Sequence, residues 1–266
     1  MSEEKSDFAK AQFAAIRERM KATQGTGRTF SGLFMGTFSS GKTTLIGTGR
    51  KPILIDSFDP NGTIVLRKLI DKGEILVRDW SVDDYKNPKA YRQWEDQWEK
   101  DVRDGFLKNF GTYAIDSATT FITALAYQIS KKFGRPPSTL AIQDYGVIYA
   151  TLGDIVAMSS TQGCDFIMTA HLTFAKDDLT GEIMTELDTF NKLKTMLPRL
   201  FSERYVVRKV EKAAGLDYEV LTNDKGRFRA GSRLAAEGKI ETIEKPDLKA
   251  ILKKAGYPTE DKPLFL

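Results

Sequence analysis

Residues 36–43 read Gly-Thr-Phe-Ser-Ser-Gly-Lys-Thr, a Gly-x4-Gly-Lys-Thr spacing between an apolar run, Phe30–Met35, and a helical start. No other feature constrains the fold as much. A backbone that turns its N–H groups inward around an anion needs glycine where side chains would block the approach. It also needs a strand to deliver it and a helix N-terminus to receive it. Gly36, Thr37, Phe38, Ser39, Ser40, Gly41, Lys42, Thr43 and Thr44 are therefore the candidate phosphate cradle. Lys42 is placed for β/γ oxygens and the Thr43 hydroxyl for Mg2+. Gly47-Thr48-Gly49 interrupts the following helix within two turns.

Further buried strands are expected at Ile53–Asp56, Glu74–Arg78, Tyr113–Asp116 and Asp165–His171. Helices are expected at Tyr91–Phe106, Ala118–Lys132 and Ile142–Ser160, with a last one over Pro246–Lys254. Strands alternating with helices predict an α/β fold with a mainly parallel sheet and right-handed crossovers. Alternating segments at Arg204–Val210, Tyr218–Thr222 and Gly226–Ala230 predict an antiparallel C-terminal meander that extends the sheet. Residues 1–28 read as an amphipathic helix over Asp7–Lys21 with a linker, a candidate oligomerisation arm. Residues 29–235 read as the core, and 236–266 as a C-terminal helix and tail, the tail being a mobile docking peptide or a frayed end.

Composition removes several classes. With 266 residues, 41% hydrophobic and 29% charged, the chain can bury a full core. One cysteine, Cys164, excludes an intrachain disulfide and a Cys-based metal site, and fits a reducing cytoplasm. No run approaches 18 apolar residues and no signal peptide opens the chain, so no membrane role is expected. The net charge of +4 is uneven: Thr189–Arg233 holds eleven Lys/Arg against five Asp/Glu, so the rest of the chain is slightly acidic. Such a balance permits nucleic acid without demanding it.

A phosphate loop needs an acid at a neighbouring strand end to hold the Mg2+ shell. Asp116 is the candidate, as an alternative to a plain helix N-cap, and Asp56 competes with it. Hydrolysis needs a group that orients or deprotonates water. Asp59 is the first candidate and Asp56 the second, although Asp59-Pro60-Asn61-Gly62 is equally a sound turn sequence. His171, the one histidine, ends a strand where ligands gather in parallel sheets, and is a candidate γ-phosphate sensor. Trp94 and Trp98 sit at helical spacing and read as core packing, with base stacking as the other reading.

With Gly36–Thr43, Ile115-Asp116-Ser117 and Thr169-Ala170-His171 in this order, the chain resembles the RecA-like ATPases of bacteriophages, and more closely the phage single-strand annealing ATPases. The resemblance spans about residues 30–233 and implies ATP, Mg2+, a RecA-like core and action on single-stranded DNA in the host bacterial cytoplasm. It implies Asp116 as the Mg2+-site acid and His171 in the place of a polar sensor. It further implies a homo-oligomer, ring or filament, in which Arg233 reaches a neighbour's nucleotide. A single-strand-binding protein is a further candidate partner. Two departures stand out. Only Asp56 and Asp59 are available where such proteins carry a Glu, and Gly231 replaces the Lys of a Lys-x-Arg pair.

For DNA, the resemblance points to a loop at Leu172–Met196, yet its lysines are offset by acids. The stronger electrostatic candidates are Arg199, Arg204, Arg227 and Arg229. Phe8-Ala9-Lys10-Ala11 matches a Phe-x-x-Ala docking form and equally an ordinary amphipathic helix. A nucleotide-gated, weakly hydrolysing scaffold or loader for phage replication proteins is the alternative function. A small-molecule P-loop kinase is disfavoured because no Arg-rich lid is present.

Overall fold

The structure is a computed structural model that describes residues 10, 12–18, 29–176, 181–190, 192–213 and 215–265. Its centre is one sheet. The strands are β1 (Ser31–Gly36), β2 (Ile53–Ser57), β3 (Ile75–Asp79), β4 (Thr112–Asp116), β5 (Asp165–Lys176), β6 (Ile183–Leu187), β7 (Glu203–Lys212), β8 (Gly215–Leu221), β9 (Gly231–Ser232) and β10 (Ile243–Glu244). Their order across the sheet is β10-β8-β7-β1-β5-β4-β2-β3, with β6 paired to β5 and β9 to β7. From β7 to β3 every neighbour is parallel, while β8 and β10 add antiparallel strands at the C-terminal edge. β2 and β4 are buried at every position. That is the signature of parallel strands covered on both faces.

Helices cover the two faces. They are α1 (Lys42–Ile46), α2 (Arg67–Asp71), α3 (Ala90–Arg103), α4 (Ala118–Lys132), α5 (Asp144–Ser159), α6 (Leu193–Met196), α7 (Arg233–Ala236) and α8 (Leu248–Lys254). One core layer joins Trp94, Trp98, Phe121, Leu125, Ile148 and Leu152 of α3–α5 to the sheet. The opposite layer joins Leu45 and Ile46 of α1 to Leu248, Ile251 and Leu252 of α8. Trp94 and Trp98 are buried and stacked at 5.5 Å, and Trp94 meets Phe121 edge-on at 4.7 Å. They serve packing and are closed to a nucleobase.

Three features differ from the sequence reading. Gly226–Ala230 forms no strand; it holds only a bridge between Lys225 and Phe228, and the pairing with β7 comes from Gly231–Ser232. The last 31 residues are woven into the core, with β10 in the sheet and α8 beneath it. The tail is seated: the Lys262 ammonium donates to the Lys108 and Gly163 carbonyls, and Phe265 packs on Phe110 at 5.2 Å. Residues 12–18 are helical, while Phe8, Ala9 and Ala11 lie outside the described residues. Among the described residues no helix is long and apolar enough to cross a membrane.

Asp56 is removed from the candidate water activators and metal ligands. It has no solvent exposure. Arg78 donates to both its oxygens, at 2.7 and 2.8 Å. The Trp80 and Trp94 indoles and the Tyr113 hydroxyl donate at 2.9, 3.0 and 2.7 Å. An ionised carboxylate cannot enter an apolar core unless its charge is paired and its lone pairs are filled. Here both conditions are met, so no lone pair is left for water or metal. Arg78 continues to Asp101 of α3 at 2.5 Å, so this charge network ties β2, β3, β4 and α3 together.

Removing one member of such a pair strands the other. Arg78→Met should lower the unfolding free energy by about 3 kcal/mol, as expected for breaking a buried pair from one side. Urea unfolding with an unchanged slope checks this. A midpoint within error of the wild type would mean that the donors from Trp80, Trp94 and Tyr113 suffice alone.

Candidate functional site

The segment from β1 to α1 folds back on itself tightly. A Cβ on Gly36 would stand 2.4 Å from the Val207 carbonyl oxygen, so no side chain fits there. Gly41 caps α1 with φ of 97°, the left-handed region that glycine enters without strain. Around this turn Lys42 is buried, and its ammonium donates to the Gly36 and Thr37 carbonyls at 2.9 and 3.0 Å. Ser40 is buried and its hydroxyl has no partner. A buried cation held by two loop carbonyls and one imidazole nitrogen, beside an unfilled hydroxyl, suits an anion. Phe38 stands exposed at the loop tip.

Asp116 ends β4 beside this loop. The Thr43 hydroxyl donates to its Oδ2 at 2.8 Å, and the Thr169 hydroxyl donates to Oδ1. Thr43 and Asp116 thus place two hard oxygens together, a donor set that suits Mg2+ completed by water and phosphate. Among the described residues no group of three or more His, Cys, Asp or Glu is placed to hold a metal ion, so any Mg2+ here would depend on water and phosphate for its remaining ligands.

Asp59 lies three residues beyond Asp56 and has the opposite fate. It starts the predicted turn, with Gly62 N donating to its carbonyl at 3.0 Å, yet its carboxylate faces the site. The Ser117 and Thr120 hydroxyls donate to Oδ1 at 2.9 and 2.6 Å, and His171 Nε2 reaches Oδ2 at 2.9 Å. The other His171 nitrogen, Nδ1, lies 3.3 Å from the Lys42 ammonium. An ammonium only donates, so Nδ1 accepts and the ring proton resides on Nε2, directed at Asp59. Lys42, His171 and Asp59 form one hydrogen-bonded chain across the cleft.

Burial and bonding push these groups apart. Burial pulls the Lys42 ammonium down to about 8, against the pull of Asp116 and Asp59. Burial also raises the Asp116 carboxyl, with the Thr169 and Thr43 hydroxyls opposing it. Burial works to raise Asp59 too, but the hydrogen bonds from His171, Thr120 and Ser117 outweigh it and hold Asp59 low. Two carboxyls with divergent tendencies suit divergent roles, one for a metal shell and one as a standing anion near water.

The remaining candidates are scattered. Ser232 pairs with Glu203, which aligns with Gly32, so Arg233 sits at the start of β1. It is roughly 13–16 Å along the strand from the Gly36–Thr43 loop, so it lies apart from that loop on its own chain. Arg204 packs on Gly231, and Arg199 lines a cleft with Ser31, Gly153 and Phe201 at that same far end. Arg227 lies over the Phe174 ring at 4.8 Å, and Arg229 pairs with Asp224 at 3.1 Å. The candidate loop Leu172–Met196 is largely a β5–β6 hairpin, tied to residue 227 by Thr185 N donating to the Arg227 carbonyl at 2.9 Å. Residues 177–180 and 191 of it lie outside the described residues.

Sequence reasoning missed the hydroxyl shell. Thr119 accepts from the His171 backbone N–H at 3.0 Å, while Thr120 and Thr169 hold the two acids. The run Ser117-Ala118-Thr119-Thr120 after the strand-end acid was the available signal.

The depressed Lys42 ammonium has a stability consequence. An unfolded lysine titrates near about 10.4. Between pH 8 and 10 the unfolded chain therefore binds more protons here than the folded one, and this group's contribution to stability rises with pH. Below pH 8 both states are protonated and the full cost of burying the charge is present. Urea unfolding of ligand-free wild type and Lys42→Met across pH 7–10 should show the difference moving in favour of the wild type through that window. A constant difference would mean that the ammonium is not depressed.

No protein-family model matches the chain, and no curated protein sequence matches it at a significant level.

Proposed function

We propose that the chain is an ATP-binding, Mg2+-dependent ATPase with a RecA-like core, acting on single-stranded DNA in phage recombination by annealing or pairing strands. The observation that carries the nucleotide half is the cradle: buried Lys42 on the loop carbonyls, the unpartnered Ser40 hydroxyl, and Thr43 on Asp116. In this reading Lys42 turns from the Gly36 and Thr37 carbonyls to β/γ-phosphate oxygens. Thr43 and Asp116 hold Mg2+, which when bound neutralises charge on the phosphates. Asp59 orients the attacking water, and His171 senses the phosphate through the hydrogen bond it shares with Lys42. The RecA-like identity rests on the motif order and on the antiparallel strands added beyond β7. The DNA half rests on that resemblance, on Arg227 beside the hairpin and on Arg229 two residues further along. A homo-oligomer follows from the same reading, with Arg233 supplied to a neighbour's site.

One observation favours the alternative, a nucleotide-gated loader with slow turnover. Asp59 already accepts three hydrogen bonds and is held low, which makes it a weak base.

ATP turnover with Mg2+ and ATP binding, measured together, test the core reading. Lys42→Ala should lose at least about tenfold in turnover by removing the one cation that meets the β/γ-phosphates. Asp59→Asn should lose about 100-fold in turnover while keeping ATP affinity within about threefold, as loss of a general base does. An unchanged rate in Lys42→Ala would remove the phosphate-loop assignment. Wild type that binds ATP but turns over no faster with single-stranded DNA than without it would favour the loader.

Salt dependence tests the DNA half. Each phosphate neutralised on a single strand contributes a slope of about −0.7 in log affinity against log salt. Replacing Arg227 and Arg229 with Gln should flatten that slope by roughly one unit. An unaltered slope would put the DNA elsewhere on the molecule.

A further inference from the structure

The phosphate loop has two flanks, and Asp116 and Asp59 share one of them. Asp116 of β4 and Asp59, just past β2, lie on the β5 side of β1. The γ end of a nucleotide gripped by Lys42 points that way, toward Asp116, His171 and Asp59. The nucleoside end must then leave over the other flank, where β7 and β8 run.

Tyr218 of β8 stands there. Its ring comes to 3.2 Å from where a Cβ on Gly41 would be. The register pairs Tyr218 with Lys209, and residues directly opposite share a face of the sheet. Val207, two residues before Lys209, packs in the layer of Phe34, Leu45 and Ile46, so this is the α1 face. Met35 aligns with Val206, so Lys209 and Tyr218 project beyond the end of β1, level with the loop. Tyr218 is half-buried and Lys209 exposed. Together they put an aromatic face and a cation on the flank opposite Asp116 and Asp59, where Asp217 and Glu219 of β8 are paired with Lys212 and Arg208.

We propose that Tyr218 is the base-contacting residue of the nucleotide site. Its ring is a stacking surface for the planar base of a nucleoside triphosphate, with Lys209 beside the path of the α-phosphate. This rests on the phosphate-loop reading of Gly36–Thr43 and adds the contact that separates a nucleotide from bare polyphosphate. Stacking on an aromatic face accepts any base, so Tyr218 supplies affinity for the nucleoside end without selecting among bases.

The experiment compares ATP with inorganic tripolyphosphate, each with Mg2+, by calorimetry on wild type, Tyr218→Ala, Tyr218→Phe and Lys42→Ala. Tyr218→Ala should weaken ATP about tenfold, as loss of one base stack does, and leave tripolyphosphate within about twofold. Tyr218→Phe should bind both as the wild type does. Equal losses for both ligands in Tyr218→Ala would show that the ring only packs the loop, and would overturn the proposal. Unchanged ATP affinity in Tyr218→Ala would overturn it by placing the base elsewhere. Failure of the underlying phosphate-loop reading looks different: Lys42→Ala would then bind tripolyphosphate as well as the wild type.

Discussion

A carboxylate without solvent organises half of this molecule. Asp56 is buried at the end of β2, and an arginine, two indoles and a phenol converge on it from β3, the segment after it, α3 and β4. None of those elements can shift by a residue without leaving a donor or the charge unmet, an error that costs several kcal/mol. The register of three parallel strands and the seat of α3 are therefore fixed by one point. The loop that follows β2 inherits that rigidity and carries Asp59 into the cleft.

The contrast between Asp56 and Asp59 shows how environment, more than residue type, decides what an acid does. Asp56 faces donors on every side. Asp59 is held on one edge by Ser117 and Thr120 and on the other by His171, whose far nitrogen touches the Lys42 ammonium. Anything that draws Lys42 away from His171 alters the hydrogen bonding of Asp59 through a single imidazole. The cleft is thus a linked set, with Asp116 and its two threonines forming a separate pair of contacts alongside.

The parts of this arrangement governed by local sequence were legible in it. The glycine spacing, the apolar strand before it and the strand-end Asp116 follow from short-range rules, and α4 begins and ends where its periodicity says. What escaped depended on distant partners. Asp56 and Asp59 look alike along the chain, and only the arrival of Arg78, Trp80, Trp94 and Tyr113 separates them. The Gly226–Ala230 segment alternates like a strand, but its partner strand β7 is engaged by β8 over residues 206–212 and by Gly231–Ser232 at its start. The C-terminal residues looked peripheral because a two-residue strand carries no periodicity at all.

The Thr29 hydroxyl donates to the Ser160 carbonyl at 3.4 Å, and Lys262 donates to the Gly163 carbonyl at 2.8 Å. Both ends therefore leave from one corner, the turn just before β5. That corner lies at the amino ends of the parallel strands, the rim remote from the cradle. A fluorophore or surface tether attached at Phe265 would hang from this rim, away from the Gly36–Thr43 loop. A force on the C-terminal end would be shared among several anchors, because Lys262 also donates to the Lys51 and Lys108 carbonyls.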